Sequence, residues 1–208
     1  MTLRNLPITP PHHCDRSVKS KFRSVRWLLR SVGLFLLLLV GFPAQAADYI
    51  LSDDPATLPP GLTIDSPGNY SGGVLTLGTG DTISIEGTKP ATVTFSGAFT
   101  TGADNLINTN GLASDLNLVT VGVLNLSAGT VANANVTGTA AVNIGIGSAL
   151  GGNLTTTLPT GVVTLGADSS VAGYIRTDAG AVSVGIGSYV GGEIATQAGV
   201  VTLGSEVE

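Results

Sequence analysis

Val182-Ser183-Val184-Gly185-Ile186-Gly187-Ser188-Tyr189-Val190-Gly191-Gly192-Glu193-Ile194-Ala195-Thr196-Gln197-Ala198-Gly199 decides how the whole chain is read. Apolar residues alternate with small polar ones in bursts of three, and glycine punctuates the bursts. That is the period-two pattern of short strands separated by turns. The opening burst recurs downstream as Val201-Thr202-Leu203-Gly204 and upstream as Val163-Thr164-Leu165-Gly166 and Val142-Asn143-Ile144-Gly145. The four copies are spaced 21, 19 and 19 residues apart, the two extra residues lying in Thr155 to Gly161, where Leu158-Pro159 enlarges a turn. The same register aligns Leu150, Val171 and Val190, then Gly152, Gly173 and Gly192, then Leu154, Ile175 and Ile194, and closes each unit with Gly161, Gly180 and Gly199.

The bursts are too short, and too rich in Val, Thr and Gly, to be helical. One unit cannot bury its own apolar residues, but stacked units form continuous columns of Val, Ile and Leu. The pattern predicts an all-β chain: a single parallel β-solenoid of about 19 residues per coil, with strands about 4.8 Å apart and the glycines at corners needing positive φ. Right-handed winding is expected, because the unit is not a strict hexapeptide. Leu75-Thr76-Leu77-Gly78, Ile83-Ser84-Ile85, Val93-Thr94-Phe95 and Leu124-Asn125-Leu126 read as weaker copies, so the repeats extend over residues 75–208. Residues 47–74, with Pro55, Pro59, Pro60 and Pro67, read as an irregular N-terminal cap protecting the first coil. The last coil is incomplete. It leaves an open edge at Val201, Leu203 and Val207, which Glu206 and Glu208 blunt with charge. Either the chain is a fragment of a longer protein, the favoured expectation, or that edge pairs with another chain.

Ahead of this lies a leader. Residues 1–30 are basic, Ser31 to Phe42 is an uncharged, mostly apolar run, and Pro43-Ala44-Gln45-Ala46 ends in an A-x-A pattern. That order is a secretory signal peptide over residues 1–46, cleaved after Ala46. The alternative, an uncleaved anchor, meets an apolar run shorter than the roughly 20 residues a span needs. Translation beginning near Val18 would shorten the basic region, and Cys14 precedes the apolar run and so is not a lipoprotein cysteine. Cleavage would remove both His and the single Cys, Met and Trp, leaving thirteen acids against Lys89 and Arg176, a net charge of −11. No basic footprint for nucleic acid remains, nor any disulfide framework.

The chemistry available is sparse. Asp53-Asp54 is the one adjacent carboxylate pair, but neighbours in an extended strand face opposite ways, and a solvated acidic turn is the expectation. Gly78-Thr79-Gly80-Asp81 superficially resembles a calcium-binding repeat, yet it does not recur: Asp168 aligns with Gly187 and Asp178 with Gln197. No catalytic, cofactor or metal residue is assigned, and a non-enzyme is expected. The strongest surface feature is the outward column Asn143, Thr164, Ser183, Thr202, a ladder of small polar groups suited to a lattice such as ice or a glycan, or simply to a solenoid wall. Thr156, Thr177 and Thr196 share parity with the inward Leu154, Ile175 and Ile194 and point into the solenoid.

The stretch Lys89-Pro90-Ala91-Thr92-Val93-Thr94-Phe95-Ser96-Gly97-Ala98-Phe99-Thr100-Thr101-Gly102, then Asn105-Leu106-Ile107-Asn108 and Asn135-Val136-Thr137-Gly138-Thr139-Ala140-Ala141, resembles the N-terminal repeat region of MshQ-type proteins. These are associated with biogenesis of mannose-sensitive haemagglutinin (MSHA) pili. A looser likeness links the repeats to bactofilin-type polymer-forming solenoids, which are cytoplasmic and lack a signal peptide. MshQ-type proteins are typically longer, with a distinct C-terminal domain, and tend to carry a cysteine pair near the first repeats; here there is none between Leu62 and Gly73. The resemblance implies no catalytic residues. The expected function is a structural or adhesive component, exported to the periplasm, outer membrane or exterior. Its expected partners are pilus or envelope proteins, or a second copy at the open end; it takes no cofactor and binds no nucleic acid. The alternatives are a surface-binding module for ice or glycans, a self-assembling polymer, or a sugar-cleaving enzyme, which a clustered trio of acids on one wall would favour.

Overall fold

The computed structural model describes residues 45–208; the expected leader lies, but for Gln45 and Ala46, outside them. The chain winds as a β-solenoid of about 6 turns averaging about 21 residues. The 19-residue unit holds from Val163 to Val182 and from Val182 to Val201. Earlier coils are longer, 24 residues from Leu75 to Phe99 and 25 from Phe99 to Leu124, because they carry excursions at the corner leaving their second strand.

Each coil contributes one strand to each of three parallel walls. The first wall stacks Leu75–Thr76, Phe99–Thr100, Leu124–Leu126, Val142–Ile144, Val163–Leu165, Val182–Val184 and Val201–Leu203. The second runs from Asp48–Leu51 and Thr82–Ile85 through Ala149–Leu150 and Ser170–Val171 to Tyr189–Val190. The third includes Ala91–Phe95, Leu116–Thr120, Asn135–Gly138, Leu154–Thr156, Ile175–Thr177 and Ile194–Thr196. All three repeat columns inferred from the sequence lie in register, as in Val163 opposite Val182, Val171 opposite Val190 and Leu154 opposite Ile175. The four weaker copies are not equivalent to one another. Leu75 and Leu124 belong to the first wall, whereas Ile83 lies on the second and Val93 on the third. The copy missing from the first wall is Phe99-Thr100-Thr101, where Thr101 takes a core position 2% exposed and its hydroxyl meets that of Thr130 at 3.1 Å.

Inward side chains form one continuous core. Leu124, Val142, Val163 and Val182 are fully buried, as are Leu154 and Ile175 on the third wall. Burial of each is worth about 1.5–3 kcal/mol, a gain available only when a neighbouring coil covers it. Phe95 and Phe99 stack at 4.9 Å across the corner between third and first walls.

The segment expected to be an irregular cap is largely a coil in its own right. Asp48–Leu51 pairs in parallel with Thr82–Ile85, and Asn69–Gly72 with Ala91–Phe95. The capping device is narrower: Leu62–Ser66 folds back antiparallel on Asn69–Gly72 and blocks that edge of the third wall. Leu51, Leu58 and Tyr70 fill the space behind it. The Tyr70 hydroxyl is buried with no hydrogen-bond partner among the described residues, and burial, reinforced by the Asp53 carboxylate, pushes its pKa up. A buried unsatisfied hydroxyl is a cost, so Tyr70→Phe is expected to stabilise the fold by about 1 kcal/mol, read as a raised thermal midpoint.

The aligned glycines work differently from expectation. None of Gly145, Gly166, Gly185 or Gly204 has positive φ. They are required because successive coils approach too closely for a Cβ, which at Gly185 would lie 2.6 Å from the backbone nitrogen of Ala167. The positive-φ corner lies two residues later, between first and second walls, at Gly80, Asp104, Gly129, Gly147, Asp168, Gly187 and Glu206, with φ between 55° and 76°. That explains why Asp168 aligns with Gly187: the position is chosen for its backbone, and Gly and Asp are among the residues that tolerate it best.

Candidate functional site

The site residues divide between those that hold the coils together and those that face outwards. Immediately after each positive-φ corner comes a buried polar side chain: Asp81, Asn105, Thr130, Ser148, Ser169 and Ser188. This column escaped the sequence reading, although its signal, a small polar residue four places after each first-wall strand's last inward residue, was present. Its members satisfy corner backbone. The Ser148 hydroxyl accepts from the Thr130 amide and donates to the Ser127 carbonyl, and the Ser188 hydroxyl donates to the Gly166 carbonyl. Asp81 belongs here. Its two carboxylate oxygens accept from the Ala47 amide at 2.8 Å and the Gly78 amide at 2.6 Å. The resemblance to a calcium loop therefore reflects a corner clamp, and among the described residues no three His, Cys, Asp or Glu side chains gather as a metal site. Asp54 is likewise local, its carboxylate accepting from the Ala56 amide at the start of a 3₁₀ turn, Pro55–Thr57, while Asp53 is exposed.

Thr156 and Thr177 point inwards as expected, 2% and 4% exposed, and donate to the Gly161 and Gly180 carbonyls at the corner between third and first walls.

The outward column Asn143, Thr164, Ser183 and Thr202 is brought together in strict register. It extends N-terminally through Asn125 and Thr100 to Thr76, one residue per coil along the first wall. Asn143 donates to the Asn125 side chain at 2.6 Å, which fixes both amides. Beside this ladder runs an apolar seam that the sequence reading missed. The residue preceding each first-wall strand continues the backbone ladder, as when the Val163 amide donates to the Ala181 carbonyl and that of Val182 to the Val200 carbonyl. From Val74 and Ala98 through Val123, Ala141, Val162 and Ala181 to Val200, the seam alternates valine and alanine coil by coil. Val74, Val162 and Val200 are 67%, 39% and 69% exposed. No charged residue occurs in any first-wall strand or in the residues flanking it.

The third wall has a different face. Asn117, Asn135 and Asn153 stack outwards, with side-chain bonds of 3.5 and 3.2 Å along the ladder. In the last coils the small residues give way to Tyr174, Arg176 and Glu193. The guanidinium lies 4.5 Å from the Tyr174 ring centroid and is bonded through Nε to Glu193 at 3.0 Å, a partner that raises its pKa. A shallow groove of about 430 Å³ lies alongside, lined by Thr155, Arg176, Asp178 and Gln197. A second cleft, about 620 Å³, opens over the second wall where the excursions of the longer coils overhang Asp48, Thr82 and Leu106. Lys89 and Asp115, 3.2 Å apart, tie those excursions together.

At the C-terminal edge, Val201 and Leu203 are 38% and 54% exposed, whereas Val182 and Val184 one coil back are buried. Val207 is different: it occupies the corner column and packs against the core, and Glu208 exchanges backbone hydrogen bonds with Ser188 and Val190 beside the second wall.

No family model, curated protein or solved structure matches the chain.

Proposed function

We propose that this chain is an exported, non-catalytic scaffold of the cell surface, with a structural or adhesive role in assembly of MSHA-type pili. The observation that carries the reading is the distribution of side chains over the coils. Inward positions and corner hydroxyls are spent on stacking, and the outer faces of the first wall and most of the third are small, uncharged polar groups repeated in register. A surface of that kind suits stiffness and extended contact better than a reaction centre, which needs titratable groups converging in a pocket. The leader supports export, and the MshQ-type resemblance supports the pilus.

The test is made in the native organism. Fractionation and protease treatment of intact cells are expected to place the chain outside the cytoplasmic membrane with its N-terminus at Ala47. Deletion is expected to reduce piliation and adhesion. A chain retained in the cytoplasm with residues 1–46 intact, or a deletion strain with normal pili and adhesion, would overturn the proposal.

A further inference from the structure

The first wall, we infer, is the face through which two copies of this chain associate side by side. Residues 47–208 carry a net charge of −11, so two copies repel through most of their surfaces. The first wall is free of that charge over seven strands, about 29 Å at the usual strand spacing. Interfaces are depleted of charge at their centres and enriched in apolar contact, and an apolar seam flanked by fixed polar groups has that composition. On its far side the wall is bordered by glycines such as Gly166 and Gly185, which add no side chain and leave the face flat.

The seam is also self-complementary. Valine and alanine alternate at every coil, so a second copy laid antiparallel and displaced by one coil sets valine against alanine at six of the seven positions, with one terminal valine of each copy overhanging. Such a contact is isologous and closes as a dimer. A strip three residues wide buries roughly 600 Å² over both copies at strand dimensions, below the range of permanent interfaces. The association is therefore weak and concentration-dependent, appropriate to chains crowded on a surface. The inference goes beyond the scaffold reading, which a monomeric chain would leave standing.

The experiment is sedimentation velocity on the full chain, expressed with its leader and recovered after export, over micromolar to millimolar concentrations. A dimer is expected to grow in with concentration, more readily at high salt as charge repulsion is screened. Val162→Asp, at a partly exposed position outside the core, is expected to leave the circular dichroism and melting unchanged while weakening association by about tenfold or more. Thr94→Asp adds the same charge on the third wall and is expected to have no such effect. A chain that stays monomeric throughout overturns the inference, as does equal weakening by both substitutions. Dimerisation that survives Val162→Asp but is lost in Leu203→Pro would assign the contact to the C-terminal edge instead. A monomer retained on ice or microcrystalline cellulose through Val162 would make the wall a solid-surface binder.

Discussion

Replacing Gly180 with alanine is expected to destabilise the solenoid by at least about 3 kcal/mol and to lower its melting midpoint by roughly 10 °C. An added Cβ at Gly180 would overlap the carbonyl oxygen of Gly161 in the preceding coil, so backbone must move. The neighbouring atoms offer no flexible side chain to absorb the clash, because Gly161, Gly180 and Gly199 form a column in which backbone faces backbone. In a stacked array the damage falls on the interface between coils, the unit on which a solenoid's stability depends. Two controls separate crowding from conformation. Gly147 has open space around it but φ of 66°, so Gly147→Ala isolates the left-handed strain, about 1 kcal/mol. Gly73 has open space and no positive φ, so Gly73→Ala is expected to be neutral or slightly stabilising. Thermal unfolding by circular dichroism ranks the three. A Gly180→Ala protein no less stable than Gly73→Ala would mean the coils are not as closely stacked as described.

The glycines also show what could be read from the sequence and why. The last four coils were legible because their lengths are nearly constant, so the columns beginning at Val142, Val163, Val182 and Val201 align by inspection. That gave the fold class and the outward position of Asn143, Thr164, Ser183 and Thr202. The earlier coils were not assignable by pattern. Every wall uses the same inward–outward–inward alternation, so Ile83-Ser84-Ile85 and Val93-Thr94-Phe95 look like Leu75-Thr76-Leu77 although they occupy three different walls. Period-two patterning fixes which side chains face the core, not which strand is the neighbour. Phe99-Thr100-Thr101 was hidden because a threonine replaces the second core residue, its hydroxyl satisfied by Thr130 across the corner. The reason for each glycine was illegible for a further reason: close approach between coils leaves no mark on local sequence, whereas the positive-φ corner is shared by Gly, Asp and Glu and so never appears as a glycine column. The Val–Ala seam was visible but unread, since an apolar residue just before a strand passes for part of its core run.

Asp81→Asn is expected to cost about 2 kcal/mol, although it removes no apolar contact. Asp81 is 5% exposed, and its two oxygens serve two different backbone donors, Gly78 within its own corner and Ala47 at the start of the first second-wall strand. An amide can accept from one of them but turns its NH₂ towards the other, leaving a buried donor opposed by a donor. The loss should be local at first, freeing Asp48–Leu51 from Thr82–Ile85, and hydrogen exchange of those strands reports it before global melting does. Calcium provides the contrasting arm. Because both oxygens are already engaged by backbone amides, added calcium is expected to leave the melting midpoint of the unsubstituted chain unchanged. A calcium-dependent rise, reversed by chelation and absent in Asp81→Asn, would show that the corner opens to bind the ion. The proposed export carries a further consequence: cleavage after Ala46 would turn the Ala47 nitrogen into an ammonium group beside a buried carboxylate, and a charge-assisted bond is stronger than the amide bond it would replace. The cost of Asp81→Asn should therefore be larger in protein whose mass shows an N-terminus at Ala47 than in protein retaining its leader. Equal costs in the two forms would mean that Asp81 closes the first coil irrespective of processing.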